Sequence, residues 1–279
     1  MNNRKIKFLF LLLISFCSVY AQTEPKESYQ KWRLGISGGM GYRTIDTSED
    51  ERKLTDMGFN AQKVNDCYND LKWGIQGNTD IHYLFHPNFG IGIKYAFFYT
   101  DGKFEESSSF NIPLSSGFGQ MYLKMDEKDY FNYIGPSLHA RSLIGESKFA
   151  VSGSLSGGYS HYRSNYEATL LVVQGHPIDP EFGLVESKET QLTGSYERFI
   201  MKGHSLGLYA GAGLEYFFNR RVALGFDCGY FYSSLNDVTL TMKMDDKTTV
   251  SKKVKLKEFM GKKENLSRMD FSLGLKIYL

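Results

Sequence analysis

The chain has 279 residues, with 33 basic against 31 acidic side chains and a formal net charge of +2. That balance excludes a strongly basic nucleic-acid binder. Three cysteines and six histidines without ligand spacing exclude a disulfide framework and a zinc site, so no cofactor is expected.

The first 21 residues read as a targeting segment. Arg4, Lys5 and Lys7 make a positive start, Phe8 to Phe16 an apolar stretch too short to span a bilayer, and Val19-Tyr20-Ala21 a small-residue processing site before Gln22. A lipoprotein signal built on Cys17 is disfavoured by Phe16. Without this segment the charge is 30 basic against 31 acidic, the three lost cations being Arg4, Lys5 and Lys7. Residues 22–30 form a short polar leader, and 31–279 one domain.

From Lys31 the chain alternates with period two, the signature of strands with two unlike faces. The first strand, Lys31 to Ile45, puts Trp32, Leu34, Ile36, Met40 and Tyr42 on one face and Arg33, Gly35, Ser37 and Arg43 on the other. Asp46 to Leu71 reads as a long polar loop with a helical piece at Ala61 to Tyr68. Trp73 to Tyr99 is one hairpin around His86-Pro87-Asn88. Its apolar face runs from Trp73 and Ile75 to Phe97 and Tyr99, and Gln76, Asn78, Asp80, His82, Lys94 and Ala96 lie opposite. Asp101 to Asp129 reads as a second long connection, irregular around Ser107 to Ser109 and Ser115 to Gly117. Met121 to Asp126 alternates enough for the next strand to start well above the membrane.

Strand four, Tyr130 to Ile144, carries Ser137, His139 and Arg141 on its polar face; Pro136 removes a ladder donor and predicts a bulge. Strand five, Phe149 to Tyr166, sets Val151, Leu155 and Tyr159 against a serine row. Glu167 to Gly203 is the third long loop. Leu206 to Tyr216 and Val222 to Tyr232 are strands six and seven, with Glu215 and Asp227 on the polar face. Asn236 to Ser267 is the fourth loop, and Met269 to Leu279 the last strand, carrying Asp270 and Lys276.

Eight strands with three short turns and four long loops in strict alternation predict an all-β fold: an eight-stranded antiparallel transmembrane up-and-down β-barrel with short periplasmic turns and long extracellular loops. A soluble barrel would turn its apolar face inward, but so many large side chains overfill a lumen of eight strands. The bulky face is therefore expected against lipid. Trp32, Phe85, Phe89, Phe149 and Phe218 should form the periplasmic aromatic ring, and Tyr42, Trp73, Tyr99, Tyr159 and Tyr232 the outer one.

The chain resembles the small eight-stranded outer-membrane proteins of Gram-negative bacteria, such as the OmpA transmembrane domain, OmpX and OmpW. The local motif is the terminal strand, where Ser272, Gly274, Ile277 and Leu279 occupy the places of a polar-x-Gly-x-x-apolar-x-aromatic pattern. Leu279 departs from the usual aromatic. The resemblance implies the outer membrane as location, the barrel-assembly machinery as partner in biogenesis, and surrounding lipid and lipopolysaccharide. It leaves the extracellular ligand open.

Two sets of residues are candidate sites. Inside, Arg33, Arg43, Lys94, Arg141 and Lys276 face Asp80, Glu215, Asp227 and Asp270, with His139 among them; near-balanced charge in a narrow lumen predicts a salt-bridged structural plug. Outside, Lys243, Lys247, Lys252, Lys253, Lys255, Lys257, Lys262 and Lys263, with Arg268, outnumber the acids of the fourth loop. Alternation at Thr239–Lys243 and Val254–Leu256 predicts that strands seven and eight protrude as a hairpin. Its positive surface suits lipopolysaccharide or polysaccharide. The expected role is non-enzymatic surface interaction or envelope structure. The alternatives are a lipid A-modifying enzyme, for which no His-x-Ser pair shares a strand face, and an accessory barrel of a secretion or transport system.

Overall fold

A computed structural model describes residues 29–112, 117–145, 148–175, 191–243, 249–256 and 264–279. The expected targeting segment lies outside them. Eight strands close a ring: β1 (Trp32–Arg43), β2 (Trp73–His86), β3 (Phe89–Ile112), β4 (Gly117–Leu143), β5 (Phe149–Gly175), β6 (Gln191–Phe217), β7 (Val222–Leu235) and β11 (Arg268–Tyr278). Every neighbour is antiparallel, and β1 against β11 completes the circuit from Arg33↔Tyr278 to Arg43↔Arg268. Three shorter strands, β8 (Asp237–Lys243), β9 (Thr249–Lys255) and β10 (Glu264–Asn265), lie between β7 and β11.

The two faces separate as alternation demands. Ile36, Ile75, Ile93, Leu138, Leu208 and Leu273 are all exposed on the outer wall. Aromatics bracket this apolar belt. Trp32 meets Tyr83 at one rim, with centroids 5.2 Å apart; Tyr42 meets Trp73, and Tyr99 meets Tyr130, at the other, each at 5.0 Å. Water would reject such a surface, whereas hydrocarbon accepts it, and the closed ring presents no strand edge to the lipid.

The long connections differ from the expected irregular loops. β3, β4, β5 and β6 run 24–27 residues, and ~3.4 Å per residue makes such strands ~80–90 Å long, far beyond a bilayer core of about 30 Å. Ser107 to Ser109 is ladder, not loop. Met121 to Asp126 lies in β4, as its alternation suggests; elsewhere the extensions carry polar residues on both faces, and periodicity does not betray them. Cross-strand pairs hold them instead, such as Lys124 Nζ to Glu105 at 3.2 Å and Tyr122 Oη donating to Glu105 at 2.8 Å. In the fourth loop β8 and β9 form a hairpin of their own that continues the sheet on β6, from Arg198↔Lys243 to Gly203↔Val238. β8 follows β7 after Asn236 and continues along β6, so strand seven leads into a protruding hairpin as expected; the return strand is β9, and β11 does not extend. Nor does Pro136 make a bulge: the β4–β5 register is the same on both sides of it, Ile134↔Tyr159 and Ser137↔Ser156. Its missing N–H falls in a short lapse of the ladder, and its ring faces outward.

The first loop folds as two helices, α1 (Ser48–Asp56) and α2 (Ala61–Lys72). The sequence signalled only the second, and four residues too short. Asn60 caps α2, its side chain accepting from the Gln62 and Lys63 amides at 2.9 and 3.2 Å. Gly58 supplies the φ of 88° that turns one helix into the other. Val64, Cys67 and Leu71 form the apolar stripe of α2. Val64 and Cys67 pack with Phe59, Phe104 and Leu123 against the inner face of the extended β3–β4 ribbon. The helices thus cover the extracellular mouth.

Candidate functional site

The lumen is built in layers. At the periplasmic end Leu84, Ala223 and Tyr278 close the floor, with Phe217 packed against them. Arg141 belongs here and has no carboxylate partner among the hydrogen bonds of the described residues: its Nε donates to the Pro87 carbonyl at 2.8 Å and its guanidinium lies 4.2 Å from the centre of the Tyr278 ring. The expectation that it joins an ion-pair network is corrected by its height, because the turn places a backbone acceptor within reach before any acid.

Above the floor sits Arg33. It pairs with Asp80, donates from Nη2 to Glu215 Oε1 at 3.1 Å, and donates from Nε to Tyr278 Oη at 3.3 Å. Tyr278 in turn donates to Glu215. Lys276 meets Asp227 at 2.7 Å, and Lys94 Nζ lies 4.0 Å from the centre of the Tyr209 ring. His82 Nδ1 is 3.1 Å from Asp80, its Nε2 is 3.1 Å from Ser137 Oγ, and the His139 ring lies 5.1 Å away.

A second ionic layer lies toward the extracellular end. Arg43 pairs with Asp129 and, at 3.2 Å, with Glu264; Tyr162 donates to Asp129 at 3.0 Å. Arg268 donates from Nε to Asp270 at 2.9 Å, and its guanidinium stands 4.6–5.6 Å from the ring centres of Phe231, Phe98 and Phe131. Arg268 was counted among the cations of the fourth loop. The register puts it instead in β11, facing inward and 1% exposed. Asp129, Glu264 and His82 complete the ionic layers and were not singled out. Asp129 and Glu264 fell in stretches read as loop, while His82 lay on the correct face without a visible partner.

Large rings do enter the lumen, against the volume argument drawn from sequence. Tyr133, Tyr162, Tyr209, Phe98 and Phe231 are all buried inside. Glycines opposite make the space: a Cβ at Gly229 would overlap the Tyr209 hydroxyl, and one at Gly207 would lie 2.7 Å from the Phe231 ring. Between these layers the lumen keeps a cavity of about 20 Å³, lined by Arg33, Asp80, His82, Lys94, Ser137 and His139 among others. That is room for about one water molecule.

The Asp80–His82–Ser137 chain has the order of an orienting acid, a base and a nucleophile. The side chains come from β2 and β4, so a search for His and Ser on one strand misses them. Ser137 is 3% exposed and the adjoining space is too small for an acyl group. As arranged, the three hold the lumen together rather than meet a substrate.

The family described as outer membrane protein beta-barrel domain matches residues 9–275. The chain belongs to this family. It is thus a protein of the Gram-negative outer membrane. Among solved structures this outer-membrane barrel is similar to a major outer membrane protein from Thermus thermophilus, at 12% identity and a TM-score of 0.49, covering 89% of this chain and 98% of that one. It is also similar to OprG from Pseudomonas aeruginosa (12%, 0.37, covering 90% and 99%) and to Neisserial surface protein A (13%, 0.33, covering 91% and 100%). Comparison with curated proteins gives no match.

On the outer face of the sheet, Lys253 and Lys255 are exposed on β9, and Lys252 is exposed on its opposite face. Lys243 ends β8, and Lys247, Lys257, Lys262 and Lys263 lie outside the described residues. Lys253 shares a register row with Thr239 of β8, Lys202 of β6 and Arg163 of β5. Lys202 and Arg163 are exposed as well; the sequence does not single them out, because Arg163 is the lone cation of β5 and Lys202 falls in the stretch read as the third loop.

Proposed function

We propose that this outer-membrane barrel is non-enzymatic and non-conducting, and that its extracellular sheet binds anionic envelope polymer, lipopolysaccharide or polysaccharide. The observation that carries the reading is the contrast between its two spaces. The lumen holds about 20 Å³ between salt-bridged and aromatic layers, whereas β3–β6 and the β8–β9 hairpin project a wide surface with cations from three strands on one row. Charge of one sign along that row attracts polyanions, an attraction that fades with salt. Binding of purified lipopolysaccharide should therefore weaken as salt rises. Changing Arg163, Lys253 and Lys255 together to Gln should weaken it further and flatten the salt dependence. Unaltered affinity and slope would refute the reading.

Asp80, His82 and Ser137 favour a second reading, a hydrolase opened by movement of the lumen wall. A fluorophosphonate probe labelling the wild type but not Ser137→Ala would establish it; the sealed lumen predicts no labelling of either.

A further inference from the structure

The barrel wall has a seam. β6 pairs with β7 as far as Gly207↔Ser233 and with β8 from Gly203↔Val238, so residues 204–206 of β6 have no ladder partner on that side. The seam opens outward as a cleft of about 430 Å³, a volume within the range of small-molecule sites. Its walls carry Lys202, His204 and Leu206 from β6, Tyr232 from β7, Asp237 from β8 and Lys253 from β9.

These residues are graded along the strand. The outward side chains of β6 read Lys202, His204, Leu206, Leu208 toward the membrane. Leu206 is 83% exposed, and Tyr232, of the expected outer aromatic ring, is 52% exposed. The apolar end therefore meets lipid and the cationic end meets the headgroup layer. Lys202 and Lys253 flank Thr239 on one register row, about 10 Å apart at two strand spacings. Arg163 stands on the other side of Lys202. Asp237 is the one acid among the described lining residues, so the cleft remains cationic.

We infer that this cleft binds the phosphorylated, acylated sugar head of lipid A, with a phosphate between Lys202 and Lys253 and an acyl chain along Leu206, Leu208 and Tyr232. The inference rests on the reading of the outer face as a polyanion surface and gives that surface its site. Two spaced cations over an apolar wall match a ligand that joins phosphate, sugar and hydrocarbon. The lumen cavity, at about 20 Å³, is far too small for such a ligand.

Native mass spectrometry of the protein purified from outer membranes in mild detergent tests this. The probes are bisphosphorylated lipid A, its dephosphorylated form and phosphatidylglycerol. The variants are Lys202→Glu, Lys253→Glu, the double variant, and Lys252→Glu, which makes the same charge change on the opposite face of β9. Heat-modifiable gel mobility verifies that each variant is folded. Bisphosphorylated lipid A should be retained in preference to both other lipids, with at least about fivefold less retention for each reversed lysine, as expected for roughly 1 kcal/mol per cation near an anionic headgroup. Lys252→Glu should behave as wild type. Equal retention by the double variant and wild type overturns the cleft as the site, even where polyanion binding by the sheet survives. Equal retention of phosphatidylglycerol overturns the assignment to lipid A. Loss of lipopolysaccharide binding in the wild type itself would remove the broader reading.

Discussion

Arg33 shows at the scale of one residue how the lumen is held. It pairs with two buried carboxylates, Asp80 and Glu215, and also donates to Tyr278. Removing one member of such a set leaves charge stranded in a medium that solvates it poorly. Arg33→Met should cost about 3–5 kcal/mol in urea unfolding of the lipid-folded barrel. Replacing Arg33, Asp80 and Glu215 together with apolar residues of similar volume should cost much less; equal losses would mean that the charges act independently. Glu127 makes the complementary point above the outer aromatic ring. It is half-buried, accepts from Ser164 at 3.3 Å and is surrounded by Asp129, Glu264 and Arg43. Burial, followed by the Asp129 charge, pushes its carboxyl up to about 8 from an ordinary value near 4.5. Between these values the folded protein keeps a proton that the unfolded chain has lost, so stability falls as pH rises through that window. Intrinsic-rate-corrected amide exchange around residues 125–131 should quicken from pH 5 to 8 in the wild type. Glu127→Gln should abolish the trend.

Single elements contribute unequally to the mouth. α2 is amphipathic and could not stand alone at 12 residues; its stripe of Val64, Cys67 and Leu71 needs the ribbon beneath. Phe59 meets Phe104 edge to face at 5.4 Å, Lys63 reaches Glu106 at 3.3 Å, and Thr100 donates to the Asp70 carbonyl at 2.9 Å. Cys67 is 4% exposed, and burial pushes its thiol up to about 12, so it is both covered and protonated at neutral pH. In a Cys228→Ser background Cys67 should resist maleimide in the folded protein. Val64→Asp buries a charge in this contact, detaches the helices at a cost of several kcal/mol, and should expose Cys67 to rapid labelling while the barrel keeps its heat-modifiable mobility. Slow labelling of the variant would show that the lid is held by something other than this stripe. The ribbons were less legible than the helix. Glu105 to Ser109 lacks alternation because neither face of β3 at that height is buried in lipid, and pairing partners far along the chain decide its structure.

The whole molecule is a closed wall around a filled interior. Rings from β3, β4, β5, β6 and β7 interlock with arginine layers above and below a cavity of about 20 Å³, and the helices cover the top. Reconstituted in planar bilayers, the protein should show no stable single-channel conductance; large, persistent openings would disprove the plug. The outer wall predicts the companion behaviour. Stripped of detergent, the exposed belt from Ile36 to Leu275 should drive aggregation, since exposed apolar patches of this extent associate in water.

Alternation alone decided the architecture. Period two writes the two environments of a lipid-embedded sheet into neighbouring residues, so the strands of the membrane zone, their faces, the three turns and the inward placement of Arg33, Asp80, Glu215 and Lys276 could be read from the chain. Partnership was not local. Ser137 meets His82 from 55 residues away, Arg43 meets Glu264 from 221, and Tyr209 fits because Gly229 on the next strand lacks a side chain. Only closure of the ring brings such residues together. It also exposes the seam where β6 passes from β7 to β8, since a gap between strands exists only once all three are placed.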